Sequence, residues 1–198
     1  GNISGSPNTN DIQYFEMAAL SNTIDFGDLT TGFAESGSHS NHVRFVTAGA
    51  ASNAHNVINF ITVSTTGNAQ DFGDTQNNLS SVTACGSPTR AIWGSSYISP
   101  SSRNIMEFVT IASTGNSVDF GDLTVARYSS SAGSNNTRGL FFMGNTDVSP
   151  VYNVNTIDYV TIASTGNAQD FGDSSITTSQ GAGVAASPNR IVFFGGYT

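Results

Sequence analysis

Asp25-Phe26-Gly27-Asp28 returns as Asp71-Phe72-Gly73-Asp74, Asp119-Phe120-Gly121-Asp122 and Asp170-Phe171-Gly172-Asp173, at intervals of 46, 48 and 51 residues. A motif that recurs at such a period marks a repeat architecture, in which each repeat is one small unit stacked on the next. An arginine follows the first aspartate of each copy after 19, 19, 19 and 20 residues: Arg44, Arg90, Arg138 and Arg190. So constant a spacing points to packed units rather than loosely strung strands.

Upstream of each motif lies a segment rich in β-branched and aromatic residues: Ile12–Met17, Ile58–Val63, Ile105–Ile111 and Ile157–Ile162. These alternate as strands do. Thr65-Thr66-Gly67-Asn68, Ser113-Thr114-Gly115-Asn116 and Ser164-Thr165-Gly166-Asn167 follow. Gly and Asn accept the backbone of tight turns, so each such segment is expected to form a hairpin with its Asp-Phe-Gly-Asp, whose glycine permits a bend or bulge. Downstream come strands of small residues, Glu35–Ser38, Thr83–Ser87, Ser131–Ser134 and Gly183–Ser187, then the arginine and an apolar strand such as Arg190-Ile191-Val192-Phe193-Phe194. Residues 1–10 read as loop.

Four short antiparallel strands per period describe a β-propeller blade, with the small-residue strand innermost, where blades crowd together. The expected fold is therefore all-β: one domain over 1–198 with four four-stranded antiparallel blades. The chain enters with an outer hairpin (11–30) and leaves with an inner one (183–198). Pairing these into a composite blade would close the ring and remove its open edges. A piece of a longer array is the alternative, since Gly196-Tyr197-Thr198 would lead into another loop like Gly1-Asn2.

Composition narrows the function. The formal charge is −8, only 10% of residues are charged, and the six basic residues are all arginine. Nucleic-acid binding needs a basic face and is not expected; nor is membrane insertion, since no apolar run is long enough. No basic stretch followed by an apolar one marks a signal peptide. Cys85 is the single cysteine and reads as a small buried side chain.

The strand ending in Phe193-Phe194-Gly195-Gly196, the Ile157-Asp158-Tyr159 strand and the fixed arginine resemble Kelch-type propeller repeats. The Gly-Gly pair is reduced to Trp93-Gly94 and Met143-Gly144 elsewhere, and Phe26, Phe72, Phe120 and Phe171 stand where a Kelch repeat carries tryptophan. The stretch from Tyr159 to Asp173 resembles, more closely, repeats in predicted virion structural proteins of tailed phages, among them marine cyanobacterial phages. The likeness spans all four repeats. It implies a virion or extracellular location, other fibre or virion subunits as partners, and a host-surface glycan or receptor as ligand.

Asp-Phe-Gly also opens a kinase metal motif, but a repeated all-β setting without lysine excludes phosphoryl transfer. The paired acids Asp25 and Asp28, Asp71 and Asp74, Asp119 and Asp122, and Asp170 and Asp173 have a second reading as calcium ligands, but each motif offers two carboxylates with few acids nearby where the ion takes six to eight oxygens, so the structural reading is favoured. They are assigned a structural role: one caps a turn and the other meets the repeat's arginine, which is expected to bond carboxylate and carbonyl groups at a blade junction. His39, His42 and His55 sit in one repeat and read as surface loop residues rather than zinc ligands. No cofactor, metal or catalytic constellation is expected. Where the repeats fail to match, Trp93, Tyr97 and Arg103 and Asp147 and Tyr152 are the candidates for binding, since their aromatic and polar groups suit sugar rings and hydroxyls; the plainer reading, which is favoured, is connecting loop, with Trp93 a core residue of its strand. A structural connector is the alternative, and a glycan-acting enzyme the third reading.

Overall fold

The computed structural model describes residues 8–18, 20–49, 55–150, 152–178 and 183–197; residues 1–7 of the expected N-terminal loop lie outside them. The described residues form sixteen strands and no helix. β1 (Asp11–Tyr14) and β2 (Ile24–Asp28) make a two-stranded sheet. Three four-stranded sheets follow. The first holds β3 (Gly37–Ser40), β4 (Arg44–Ala48), β5 (His55–Thr62) and β6 (Gln70–Leu79). The second holds β7 (Thr83–Gly86), β8 (Arg90–Ile98), β9 (Ser101–Thr110) and β10 (Val118–Arg127). The third holds β11 (Ser131–Ser134), β12 (Arg138–Phe142), β13 (Thr156–Thr161) and β14 (Gln169–Asp173). β15 (Gly183–Ala186) and β16 (Ile191–Phe194) form a final two-stranded sheet.

All pairings are antiparallel between successive strands. The register repeats: Val46 faces Phe60, Ile92 faces Phe108 and Leu140 faces Tyr159. Each outer pair slips register at the phenylalanine of Asp-Phe-Gly-Asp, so the bulge recurs in all four copies. The small-residue strands β3, β7, β11 and β15 lie next to one another in that order. In the first repeat this strand starts at Gly37, two residues later than the sequence suggests, because Glu35 takes a left-handed backbone (φ 56) that ends the extended run.

Phase is as the repeats dictate, with an outer hairpin, three whole sheets and an inner hairpin. Ring closure is not. β1–β2 and β15–β16 remain separate sheets, so the structure holds three complete four-stranded sheets and two halves rather than four closed blades. The physical reason lies in the junctions, which join each sheet to its successor and do not require the first and last to meet. Apolar side chains fill the spaces between sheets. Val46, Ile58, Phe72 and Trp93 pack between the first two sheets, and Ile92, Met106, Phe120 and Phe141 between the second and third.

Candidate functional site

Most repeated residues belong to the junctions. The first aspartate of each motif accepts the N–H two residues on, as Asp25 does from Gly27 and Asp71 from Gly73, both at 3.0 Å; Asp119 and Asp170 do the same. This is an Asx turn. The second lends its backbone to the next repeat. The N–H of Asp28, Asp74 and Asp122 donates to the side-chain oxygens of Asn68, Asn116 and Asn167. Their carbonyls accept from Ala69, Ser117 and Ala168, while Gly67, Gly115 and Gly166 donate to Phe26, Phe72 and Phe120 at 2.7 Å.

The repeat's arginine does not meet these acids. Arg44, Arg90 and Arg138 stack over Phe60, Phe108 and Tyr159 of their own sheets, 4.6–4.7 Å from the ring centres. Arg44 and Arg90 then donate to the carbonyls of Ile111 and Ile162 in the following sheet, each at 2.9 Å. The expected carboxylate contact is thus replaced by an aromatic ring, which lies directly opposite the arginine's strand. Among the described residues the only ion pair is Arg127–Asp158, 2.8 Å apart and fully buried.

Asp158 reveals junction residues that sequence reasoning missed. It occupies the same place as Gln13, Asn59 and Glu107, each opposite the first aspartate of its motif. Asn59, Glu107 and Asp158 are buried, and each accepts the backbone N–H two residues beyond the motif of the preceding repeat: Thr30, Gln76 and Thr124, at 2.8–3.1 Å. A polar residue flanked by apolar ones at the same place in every copy was the available signal. Burial lowers the pKa of Arg127, against which Asp158 acts by charge and hydrogen bond.

The non-repeated candidates lie elsewhere. Trp93 is fully buried, and its indole N–H donates to the Gly37 carbonyl at 2.8 Å, so it is a packing residue with no surface to offer a ligand. The other four gather around two loops. β8 and β9 run past the repeat's usual length to a hairpin tip at Ser99-Pro100. Tyr97 packs on Tyr128, ring centres 5.2 Å apart, and Arg103 sits half-buried opposite Ser96. The Asp147 carboxylate accepts the N–H of Ser102, pinning the 143–155 loop of the third sheet against this hairpin. Tyr152 is 58% exposed, and its carbonyl accepts from Thr146. The two loops therefore offer the exposed Tyr152 ring for stacking, while the register projects Tyr97 and Arg103 to opposite sides of the hairpin.

His39 and His55 lie on β3 and β5 rather than in loops, and His42 in the turn after β3. The His39 Nε2 lies 3.1 Å from the Ser87 carbonyl; burial lowers its pKa more than that bond raises it. Burial pushes the Cys85 thiol up to about 12, so it stays protonated and unreactive. No group of metal-ligating side chains occurs among the described residues, and none of their helices could cross a membrane, since they form no helix. No family model matches this chain, and no curated protein sequence matches it.

Proposed function

We propose that this chain is a non-catalytic module of a virion or extracellular appendage, a tail-fibre or adhesin domain that offers its loop face to a host-surface glycan or receptor. One observation carries the reading. Non-repeated loops from two consecutive repeats converge, joined by Asp147 and Ser102, and the loop that carries Asp147 also carries the exposed Tyr152. An exposed aromatic ring on a loop fixed by hydrogen bonds is what a sugar's apolar face and hydroxyls require. The acids support a non-catalytic role: the first aspartates are engaged in their own turns, and Glu107 and Asp158 are engaged in the junctions. A glycan-acting enzyme is the weaker alternative.

The test is a glycan array followed by titration of any hit. Tyr152→Ala is expected to weaken binding about tenfold or more, as loss of a central contact does, with no change in melting temperature because the ring is exposed. Full binding by Tyr152→Ala, or no glycan bound, would overturn this reading.

A structural connector is the second reading, favoured by the two half-sheets, which leave Phe15 and Phe194 63% and 68% exposed. In both readings the sheets act as propeller-like blades. A fourth blade exists only where a β1–β2 hairpin and a β15–β16 hairpin share one sheet.

A further inference from the structure

We propose that the β15–β16 half-sheet of one copy takes up the β1–β2 hairpin of a second copy, head to tail, to complete a four-stranded sheet. This deepens the connector reading by naming the partner, and it is independent of the loop face. The two halves are complementary parts of the same unit. β15–β16 is an inner pair without its outer pair, and β1–β2 is an outer pair without its inner one. An exposed strand edge is a ready template for such addition.

Three internal sheets supply the register. Where Val46 faces Phe60 and Leu140 faces Tyr159, Val192 would face Tyr14 of the second copy. Arg190 would then lie over that Tyr14, as Arg44 lies over Phe60. Arg138 would reach the Met17 carbonyl of the second copy, as Arg90 reaches that of Ile162.

The socket for the incoming turn is already built and empty of protein. Phe26, Phe72 and Phe120 are 7%, 2% and 2% exposed because the next repeat covers them, whereas Phe171 is 52% exposed. A Cβ on Gly27, Gly73 or Gly121 would fall 2.5 Å from the next repeat's turn glycine, while one on Gly172 would meet nothing within 4 Å. The glycine is present where nothing yet approaches it. In the second copy, Asn22 stands where Asn68, Asn116 and Asn167 stand, with Ser21 in the glycine's place. Asn22 would accept the Asp173 N–H. Gln13, exposed where Asn59, Glu107 and Asp158 are buried, would accept from Ser175.

Two grooves mark the missing halves. One of ≈ 350 Å³ lies between the third sheet and the last hairpin, walled by Leu140, Phe142, Phe171, Ile191 and Phe193. The other, ≈ 720 Å³, is walled by Tyr14, Phe15, Phe26, Phe45 and Ile61 at the first hairpin. Each is the space that the other half of a sheet would occupy. The contact is heterologous, so each addition leaves a new free end and copies add in series unless their rotation closes a ring.

Tyr14→Cys and Val192→Cys, made as separate chains and mixed under mild oxidation, test the inference; the buried Cys85 is not expected to compete. A disulfide-linked dimer that requires both variants is expected, with molar mass by light scattering rising with protein concentration. Phe171→Asp in the Val192→Cys chain is expected to abolish the linked dimer while leaving the circular dichroism spectrum unchanged. Tyr152→Ala is expected to leave the dimer intact, which separates this test from that of the loop face. A double variant that links only within single chains, or mixed single variants that never link, would overturn the proposal. So would a chain that stays monomeric yet docks a different protein through Phe171, although the connector reading would then survive.

Discussion

Asp158 shows how one position inside the repeat joins two sheets. Its carboxylate accepts the Thr124 N–H and hydroxyl and the Arg127 guanidinium, which also donates to the carbonyls of Phe141 and Thr156. At the corresponding place of the preceding junction, Glu107 serves with Leu79 in place of Arg127; at the one before, Asn59 serves with Phe33. The repeat therefore works without the ion pair. A buried charge whose partner is removed is expensive, whereas an apolar replacement of the whole pair is often neutral. Asp158→Asn keeps an acceptor for Thr124 but leaves Arg127 buried without its countercharge, and is expected to cost about 3–5 kcal/mol in urea unfolding. Adding Arg127→Leu, the side chain found at Leu79, is expected to restore most of that loss. A double variant no more stable than Asp158→Asn would show that the guanidinium's carbonyl contacts, rather than charge compensation, hold this junction.

At the scale of the element, Asp-Phe-Gly-Asp is a bulge, an Asx turn and a docking site for the next repeat in four residues. Its glycine has φ +142 at Gly73 and +129 at Gly172, a backbone that side chains resist, but only Gly73 also has a neighbour in the way. Alanine at either position incurs the backbone strain; at Gly73 it must also displace the Gly115 backbone. Gly73→Ala is therefore expected to destabilise by about 1–3 kcal/mol more than Gly172→Ala, measured as a difference in unfolding free energy. Equal losses would mean that the glycine serves the strand alone. Much of this was legible in the sequence. The period, the strand order and the bulge follow from four aligned copies, and the arginine's place at a junction, though not its partner, follows from its constant spacing. Its aromatic partner was not legible, because a strand pattern names no cross-strand neighbour until the register is known. Trp93 was a binding candidate because its strand runs on into a non-repeated hairpin, but its apolar strand favoured the core, and the sheet's interior is its place. Ring closure could not be read from phase alone, since complementary halves pair equally well within a chain or between chains.

For the whole molecule, a row of sheets joined neighbour to neighbour behaves as a one-dimensional array, whose stability is a sum over units and junctions. The second sheet has a whole sheet on each side; β1–β2 and β15–β16 each have one neighbour and an open edge. Opening free energies in such a fold span from near zero at weakly held elements to the global value in the core. Hydrogen exchange is therefore expected to be graded. In dilute protein, the amides of Gly115 and Ser117, which bond across a junction to Phe72 and Asp74 at 2.7 and 2.8 Å, exchange slowest. Those of β1 and β16 exchange fastest. Raising the protein concentration is expected to slow exchange at both terminal hairpins together, because head-to-tail addition covers both edges at once, and to leave the second sheet unchanged. Phe171→Asp should remove that concentration dependence at both ends. Uniform protection across all five sheets would instead mean one cooperative unit, and with it a molecule whose half-sheets are as firmly held as its complete ones.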